Sequence, residues 1–359
     1  MKIATLTLPF HPNYGAVLQA FALQKALQSL GHETYSLNIM RSSLRSFPRN
    51  ILSSLKRILT TGEFRENYKY GNKLFYEFIN KELNLSNKIK YQRDFYRKDI
   101  QSFDAYIVGS DQVWRPSYVI DINKFFLNFV PTNKIKISYA ASFGTDKNEY
   151  TENNIISCKN AIKQFKAVSV REKNGVQKCK DLFDTSSTEV LDPTFLLEKN
   201  DYAELIKKYP NSIGTKKIVC YLLDATSQKR DLINKTFFGA YYINDGTSDY
   251  DKISIPDWLK LIQNAETVIT DSFHGVVFSI IFQKKFIAIG NTARGLERFS
   301  SLLTKLSLSD HLVIDSDLTM NNLLQLSQIV PNYSETERLL EKYKKISYSF
   351  IESNIINNH

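Results

Sequence analysis

The chain has 359 residues, 43% hydrophobic and 23% charged, with 13 Gly and 9 Pro. At roughly 100–200 residues per domain this length suggests two domains or three, and the composition excludes wholesale disorder, a coiled coil and a collagen-like or low-complexity chain. The formal net charge of +10 is concentrated: Arg41–Lys98 holds 14 Lys and Arg against 5 Asp and Glu, a balance of +9, so the charge belongs to one local surface.

Lys2–Leu8 alternates with β-branched residues, as a strand does. Ala16, Ala20, Leu23, Leu27 and Leu30 recur at helical spacing and predict a helix from Tyr14 to Leu30, with Gly31 as its left-handed cap. A strand over Glu33–Ile39 completes a strand–helix–strand unit, which implies a parallel pair with a right-handed crossover. The basic segment, residues 41–98, carries no strand signal and reads as two or three inserted helices. Ile51, Leu52, Leu55, Ile58 and Leu59 form an apolar stripe in it beside Arg45, Arg49, Lys56 and Arg57. That pattern suits either a helix docked on its own domain or a basic amphipathic element at an anionic membrane surface or anionic substrate.

Further strands are predicted at Ala105–Val108, Ile135–Ala141, Ala167–Val170 and Glu189–Leu191, with helices near Asn153–Phe165 and Glu172–Cys179. After Asp192–Pro193 a second series begins: helix Asp201–Tyr209, strand Lys217–Leu223, helix Pro256–Asn264, strand Thr267–Thr270, helix His274–Gln283 and strand Phe286–Ile289. Two successive series predict two Rossmann-like α/β domains with parallel sheets facing a cleft, residues 1–195 and 196–330. The Glu- and Lys-rich pattern in 331–359 predicts a C-terminal helix packing back on the core.

The three cysteines, Cys158, Cys179 and Cys220, are odd in number and far apart, which indicates neither a disulfide framework nor a metal site. The N-terminal apolar run is too short for a signal-peptide core, and no stretch approaches the roughly 18 apolar residues of a membrane span. These features predict a soluble cytoplasmic protein. No helix-turn-helix pattern, aromatic RNA-binding motif or basic repeat supports nucleic acid as a partner.

Five polar stretches follow predicted strands, where an open parallel sheet binds its ligands. Asn13-Tyr14-Gly15 opens the first helix, as an anion-approaching turn or simply as its cap. It is not the three-glycine dinucleotide fingerprint. Ser110-Asp111-Gln112 with Trp114 suits a sugar-binding rim, the alternative being a buried Asp and a core Trp. Arg171, in Ser169-Val170-Arg171-Glu172, offers a planar fork to phosphate or carboxylate, or else a structural ion pair. Asp271-Ser272-Phe273-His274-Gly275 is the strongest candidate. Its histidine stands at the start of an apolar helix whose dipole disfavours imidazolium while Asp271 favours it, so an acid/base role competes with turn capping. Ser272 and His274 do not make a hydrolase triad, and no nucleophile elbow is present. Arg294 and Arg298 follow the next strand as candidate cations for the same cleft, with Arg298 alternatively on an exposed helix face.

Taken together, Asn13-Tyr14-Gly15-Ala16-Val17-Leu18-Gln19, Gly109-Ser110-Asp111-Gln112-Val113-Trp114, Ser138-Tyr139-Ala140-Ala141-Ser142-Phe143-Gly144, Ser169–Glu172 and Asp271–Gly275 resemble the polysaccharide pyruvyl transferase family. The resemblance implies a GT-B-like transferase that moves the enolpyruvyl carbons of phosphoenolpyruvate, a co-substrate, onto a sugar as a ketal during capsule, exopolysaccharide or other cell-surface glycan synthesis. It implies no separate cofactor and no metal. His274, Arg171 and Asp271 would be catalytic, with Arg171, Ser272, His274, Arg294 and Arg298 holding the donor. Asn13, Tyr14, Gly15, Ser110, Asp111, Gln112 and Trp114 would hold the acceptor, a sugar or lipid-linked oligosaccharide at the inner membrane face, which the basic segment would touch peripherally. Two other readings share the scaffold: a GT-B glycosyltransferase using a nucleotide sugar, and a non-catalytic glycan- or membrane-surface-binding protein.

Overall fold

A computed structural model describes residues 1–40, 71–209, 213–243, 253–291 and 295–355. The first part of the chain runs β1 (Lys2–Leu6), α1 (Tyr14–Ser29), β2 (Glu33–Ser36), α2 (Gly71–Glu82), β3 (Ala105–Val108), β4 (Ile135–Ala141), α3 (Glu152–Ile162), β5 (Ala167–Val170), α4 (Lys173–Phe183) and β6 (Thr188–Glu189). The second runs α5 (Lys199–Lys207), β7 (Ile218–Tyr221), α6 (Ser227–Thr236), β8 (Tyr241–Tyr242), α7 (Ile255–Asn264), β9 (Thr267–Thr270), α8 (Phe273–Ile281), β10 (Lys285–Gly290), α9 (Leu296–Lys305), β11 (Leu312–Ile314), α10 (Met320–Gln328) and α11 (Tyr333–Ile355).

The strands form two separate sheets, ordered β2-β1-β3-β4-β5-β6 and β11-β10-β9-β7-β8. Every described pairing is parallel. Both sheets therefore share one topology: the first strand of each is flanked by the second on one side and the third on the other. Strand order reverses at that first strand, and the crevice beyond the carboxyl ends at such a switch point is where open α/β sheets bind ligands. The switch points lie between β1 and β3 and between β7 and β9.

What faces those crevices follows from how the helices start. Asn13 caps α1 by accepting from the Ala16 amide (3.1 Å), and Ser272 caps α8 by accepting from the Gly275 amide (3.3 Å). Both helices are almost wholly buried because each lies between its own sheet and the other half of the molecule. A single apolar core runs across the junction, joining Tyr14, Val17, Leu18 and Phe21 of α1 to Trp258 of α7 and to Val277 and Phe278 of α8. The two halves are thus held by continuous hydrophobic burial rather than by a hydrated hinge.

Two further elements bind the halves together. Helix α2 brings Phe75 to 4.9 Å from the Tyr14 ring, and its Glu82 accepts hydrogen bonds from the Tyr209 hydroxyl (2.9 Å) and Lys208 Nζ (3.2 Å) of the second half. Helix α11 starts on the second half, where the Tyr333 hydroxyl donates to the Ser279 carbonyl (3.3 Å). It ends by burying Phe350, Ile351 and Ile355 in the first, where Ser347 Oγ accepts from the Leu191 amide (3.0 Å).

Two sequence expectations are corrected. The segment 41–98 is not free of extended structure: Leu85 and Ile89 make isolated parallel bridges with Ser36 and Ile39, each too brief to leave an alternating pattern. Strand β11 was not anticipated, being only 3 residues long. The apolar stripe Ile51–Leu59 and its flanking arginines and lysines lie outside the described residues. Among the described residues, no helix is long and apolar enough to cross a membrane.

Candidate functional site

The two switch points open into one cleft of about 650 Å³. One wall comes from the loop after β1 (Leu8, Pro9, His11, Asn13) and the loop after β3 (Asp111, Gln112, Ser117, Tyr118). The other comes from Leu223 after β7, Asp271–His274 after β9, Asn291 after β10, and Arg298 and Phe299 on α9.

His274 stands where α1 and α8 meet. A methyl group placed on Gly15 would lie 2.0 Å from His274 Nδ1 and 2.6 Å from its Cβ, so only glycine lets the imidazole pack against α1. On the other side His274 Nε2 lies 3.5 Å from Asp192 Oδ2. Asp192 is buried and fully engaged: Oδ1 accepts from the Thr194 amide and hydroxyl (3.1 and 2.7 Å), and Oδ2 from Arg171 Nη1 (2.9 Å) and Ser110 Oγ (3.3 Å). Burial by itself would raise its carboxyl, but His274, Arg171 and Thr194 together hold it well below the usual carboxylate range. An ionised Asp192 is placed to orient the imidazole and to balance its charge when it carries two protons.

Arg171 is held behind this pair. Its side chain is 2% exposed and faces three carboxylates: Asp192, Asp111 (Oδ1 at 3.7 Å) and Glu172 (Oε2 at 3.7 Å). Burial works against its charge, yet those carboxylates raise its pKa above the ordinary arginine value. Its guanidinium lies 4.5 Å from the centre of the Phe273 ring, which stands between it and the cleft wall. Arg171 does not line the cleft, and the expectation that it grips the donor is corrected: it is buried behind Phe273, where its charge is balanced by Asp192, Asp111 and Glu172.

Asp271 is corrected similarly. Its carboxylate accepts from the Leu223 and Asp224 amides (2.5 and 3.0 Å) and lies 3.6 Å from the buried Lys229 Nζ, which also reaches Asp315 at 3.1 Å. It ties β9 to the loop after β7 and is not the partner of His274.

On the opposite wall the turn after β3 folds sharply. Gly109 has φ +122°, and a Cβ there would fall 2.0 Å from the Tyr139 carbonyl oxygen. Asp111, in the left-handed region at φ 71°, then returns the chain to pair with Ala141. This geometry keeps Asp111 and Gln112 at the cleft but sends Ser110 inward, where its single O–H is shared between the Ala140 carbonyl (3.1 Å) and Asp192 Oδ2 (3.3 Å). Trp114 is also inward: fully buried, stacked on Phe126 at 4.9 Å, with Nε1 donating to the Phe125 carbonyl (2.9 Å). Tyr14 stacks on Trp258 at 5.1 Å and its hydroxyl donates to the Ile253 carbonyl (3.1 Å). Tyr14, Gly15, Ser110 and Trp114 are therefore packed against neighbouring elements and do not line the cleft, where they were expected to meet the acceptor. Truncating Trp114 to Ala is expected to cost about 3–5 kcal/mol of stability, measured by urea denaturation, with no selective loss of ligand binding.

Asn13, Asp111, Gln112, Ser272, His274 and Arg298 do line the cleft. Arg298 is the cation that the described residues offer to it; burial, then the nearby Arg171, push its pKa down to about 10, so it remains charged at neutral pH. Arg294 lies outside the described residues. Asp192, His11, Asn291 and Tyr118 were not anticipated as site residues. Asp192-Pro193-Thr194 reads in sequence as a capping turn, which it also is, since it starts the short helical turn Pro193–Leu196.

The packing of Gly15 on His274 has a measurable consequence. Gly15→Ala cannot be absorbed by rotating the imidazole, because the histidine Cβ is itself in the way. It is expected to cost about 1–3 kcal/mol through overpacking and to lower turnover. Gly214→Ala, with nothing within 4 Å, should change neither the melting temperature nor the rate.

Comparison with known proteins bears on this arrangement in two ways. A family model described as polysaccharide pyruvyl transferase matches residues 13–292, from the cap of α1 to the loop after β10. Among solved structures, Arabidopsis thaliana UGT89C1 complexed with UDP is similar at a TM-score of 0.51 and 12% identity, over 99% of this chain and 100% of that one. The UDP-GlcNAc 2-epimerase from Neisseria meningitidis bound to UDP-GlcNAc gives a TM-score of 0.48 and 10% identity, over 99% and 100%. A search of curated proteins finds no match. The two-domain α/β fold is of the GT-B type.

Proposed function

Since the chain belongs to the polysaccharide pyruvyl transferase family, we propose that it transfers the pyruvyl carbons of phosphoenolpyruvate to two hydroxyls of a sugar, giving a cyclic ketal and inorganic phosphate. The observation that carries this reading is His274 on the cleft wall at the start of α8, backed by an ionised Asp192 and accompanied by Arg298.

The reaction needs a proton on the donor's methylene carbon, attack of one sugar hydroxyl at C2, and departure of phosphate as a second hydroxyl closes the ring. Of the two hydroxyl protons released, one replaces the proton delivered to carbon and the other leaves on hydrogen phosphate. His274 supplies and recovers that proton, with Asp192 holding the ring and stabilising the imidazolium. Arg298 and the amides of the first turn of α8 face the phosphate and carboxylate, where fixed cations and dipoles offset developing charge. Asn13, Asp111, Gln112 and Ser117 supply donors and acceptors for sugar hydroxyls on the opposite wall.

The nucleotide-sugar reading draws on a second cavity of about 500 Å³, lined by Thr226, Lys229, Asn291 and Asp315 and meeting the first at Asn291. A melting-temperature screen separates the two. Phosphoenolpyruvate is expected to raise the melting point, since ligand at 100 times its dissociation constant adds about 2.7 kcal/mol, whereas UDP-, GDP- and CMP-sugars should not. A shift with a nucleotide sugar and none with phosphoenolpyruvate would reverse the assignment. A lipid-linked acceptor belongs to the same proposal. Charge reversal at Arg45, Arg49, Lys56 and Arg57 should then reduce low-salt co-sedimentation with anionic vesicles.

A further inference from the structure

Trp114, one candidate for a sugar-facing aromatic, lies in the core, whereas Tyr118, four residues on, stands at the cleft. Tyr118 lines the cleft and is 50% exposed, at the end of the short helical turn Pro116–Tyr118. We propose that Tyr118 is the platform on which the acceptor stacks, its open surface packing against the C–H face of a hexopyranoside ring. This rests on the reading that the cleft takes a sugar acceptor.

The support around Tyr118 is built before any ligand arrives. The Arg115 guanidinium lies 4.4 Å from the ring centre and backs it. That guanidinium is itself clamped: Nε and Nη2 each donate to Glu149 Oε1 at 3.1 Å, and Nη1 donates to Gln112 Oε1 at 3.2 Å. Glu149 Oε2 accepts from the Ser117 amide (3.2 Å), closing the turn on the same carboxylate. Burial would raise the Glu149 carboxyl, but Ser117 and Arg115 lower it, so the clamp stays charged. A ring fixed in this way loses little conformational entropy when a ligand packs on it.

The chemistry around the ring suits a sugar better than an apolar ligand. A pyranose has faces of C–H groups, whose slightly positive hydrogens suit the negative face of an aromatic ring. Its hydroxyls lie around the edge and need hydrogen-bonding partners. Gln112 and Ser117 flank Tyr118 on the same wall, with His11 and Asn13 on the adjoining loop. Tyr118 and Arg298 line the same cleft, so the platform shares it with the cation.

The test is saturation-transfer NMR with methyl β-D-galactopyranoside, methyl β-D-glucopyranoside and methyl β-D-mannopyranoside as probes, and phosphoenolpyruvate melting shifts measured on the same samples. In the wild type, irradiating aromatic protons should saturate the ring C–H protons of at least one glycoside. Tyr118→Ala should weaken that glycoside about tenfold, while Tyr118→Phe stays within about threefold of wild type because the face is kept. Both variants should keep the wild-type melting point and donor shift. The proposal is overturned if Tyr118→Ala binds as well as wild type, or if no glycoside receives saturation from the wild type. If a glycoside depends on Tyr118 but phosphoenolpyruvate produces no shift, the platform stands and the donor assignment fails.

Discussion

Replacing His274 by glutamine is expected to lower ketal-forming turnover by about 10²–10⁴-fold, the usual contribution of a positioned acid/base group. The size of the side chain is roughly kept, so packing against Gly15 should survive, and the donor-induced melting shift should remain because Arg298 and the α8 amides are untouched. Alanine at the same position should cost as much rate but also leave a gap at the junction of α1 and α8. The decisive measurement is single-turnover phosphate release with donor binding followed in parallel. Near wild-type release from the glutamine variant would remove His274 from the chemistry, and loss of donor binding alone would make it a ligand for the anion.

Asp192→Asn should destabilise the fold markedly. It leaves Arg171 buried against a neutral amide in place of its closest carboxylate, at 2.9 Å. Removing one partner of a buried ion pair typically costs about 3–5 kcal/mol; Asp111 and Glu172 still face the guanidinium at 3.7 Å, so the loss should lie toward the lower end of that range. Arg171→Met and Asp192→Asn, measured singly and together, should be non-additive, and a strictly additive double variant would argue against direct coupling.

The pH dependence has a defined direction. The folded Asp192 carboxyl lies below its unfolded value, about 3.9. Its contribution to stability is therefore complete above that value and is lost as pH falls through the folded one. Wild-type denaturation midpoints should drop below about pH 4, and the asparagine variant, having already lost the term, should show a flatter acid limb. Equal slopes in the two proteins would mean that Asp192 is not the group responsible.

Much of the candidate site was legible as chemistry before it was legible as geometry. His274, Ser272, Asp111, Gln112 and Asn13 stand just after predicted strands, and the carboxyl ends of strands are where this architecture binds ligands. Of the two readings open for Arg171, an anion-binding fork or a structural ion pair, the structure shows the ion pair. An arginine after a strand looks alike in sequence whether it faces solvent or a buried carboxylate. Here the neighbour is Asp192, 21 residues on, which the order β4-β5-β6 brings alongside.

The amino-acid sequence by itself determined the alternation of strands and helices, since apolar period, helix caps and Gly31 act locally. Strands β3, β4, β5 and β9 lie where alternation places them, and α1, α7 and α8 begin within a residue or two of their expected starts. It also determined which loops carry polar and charged groups. Only the tertiary structure decided which of those groups meet. Trp114 and Tyr118 are four residues apart, yet one is in the core and the other at the rim, because the turn at Gly109 and Asp111 rotates the loop before Pro116 redirects it. His274 takes its carboxylate from Asp192 rather than the adjacent Asp271, and takes its packing from Gly15 in the other half of the chain. Those pairings arise where two separately specified domains bury one shared apolar face. No local pattern encodes which residues will be opposite each other once that face is closed.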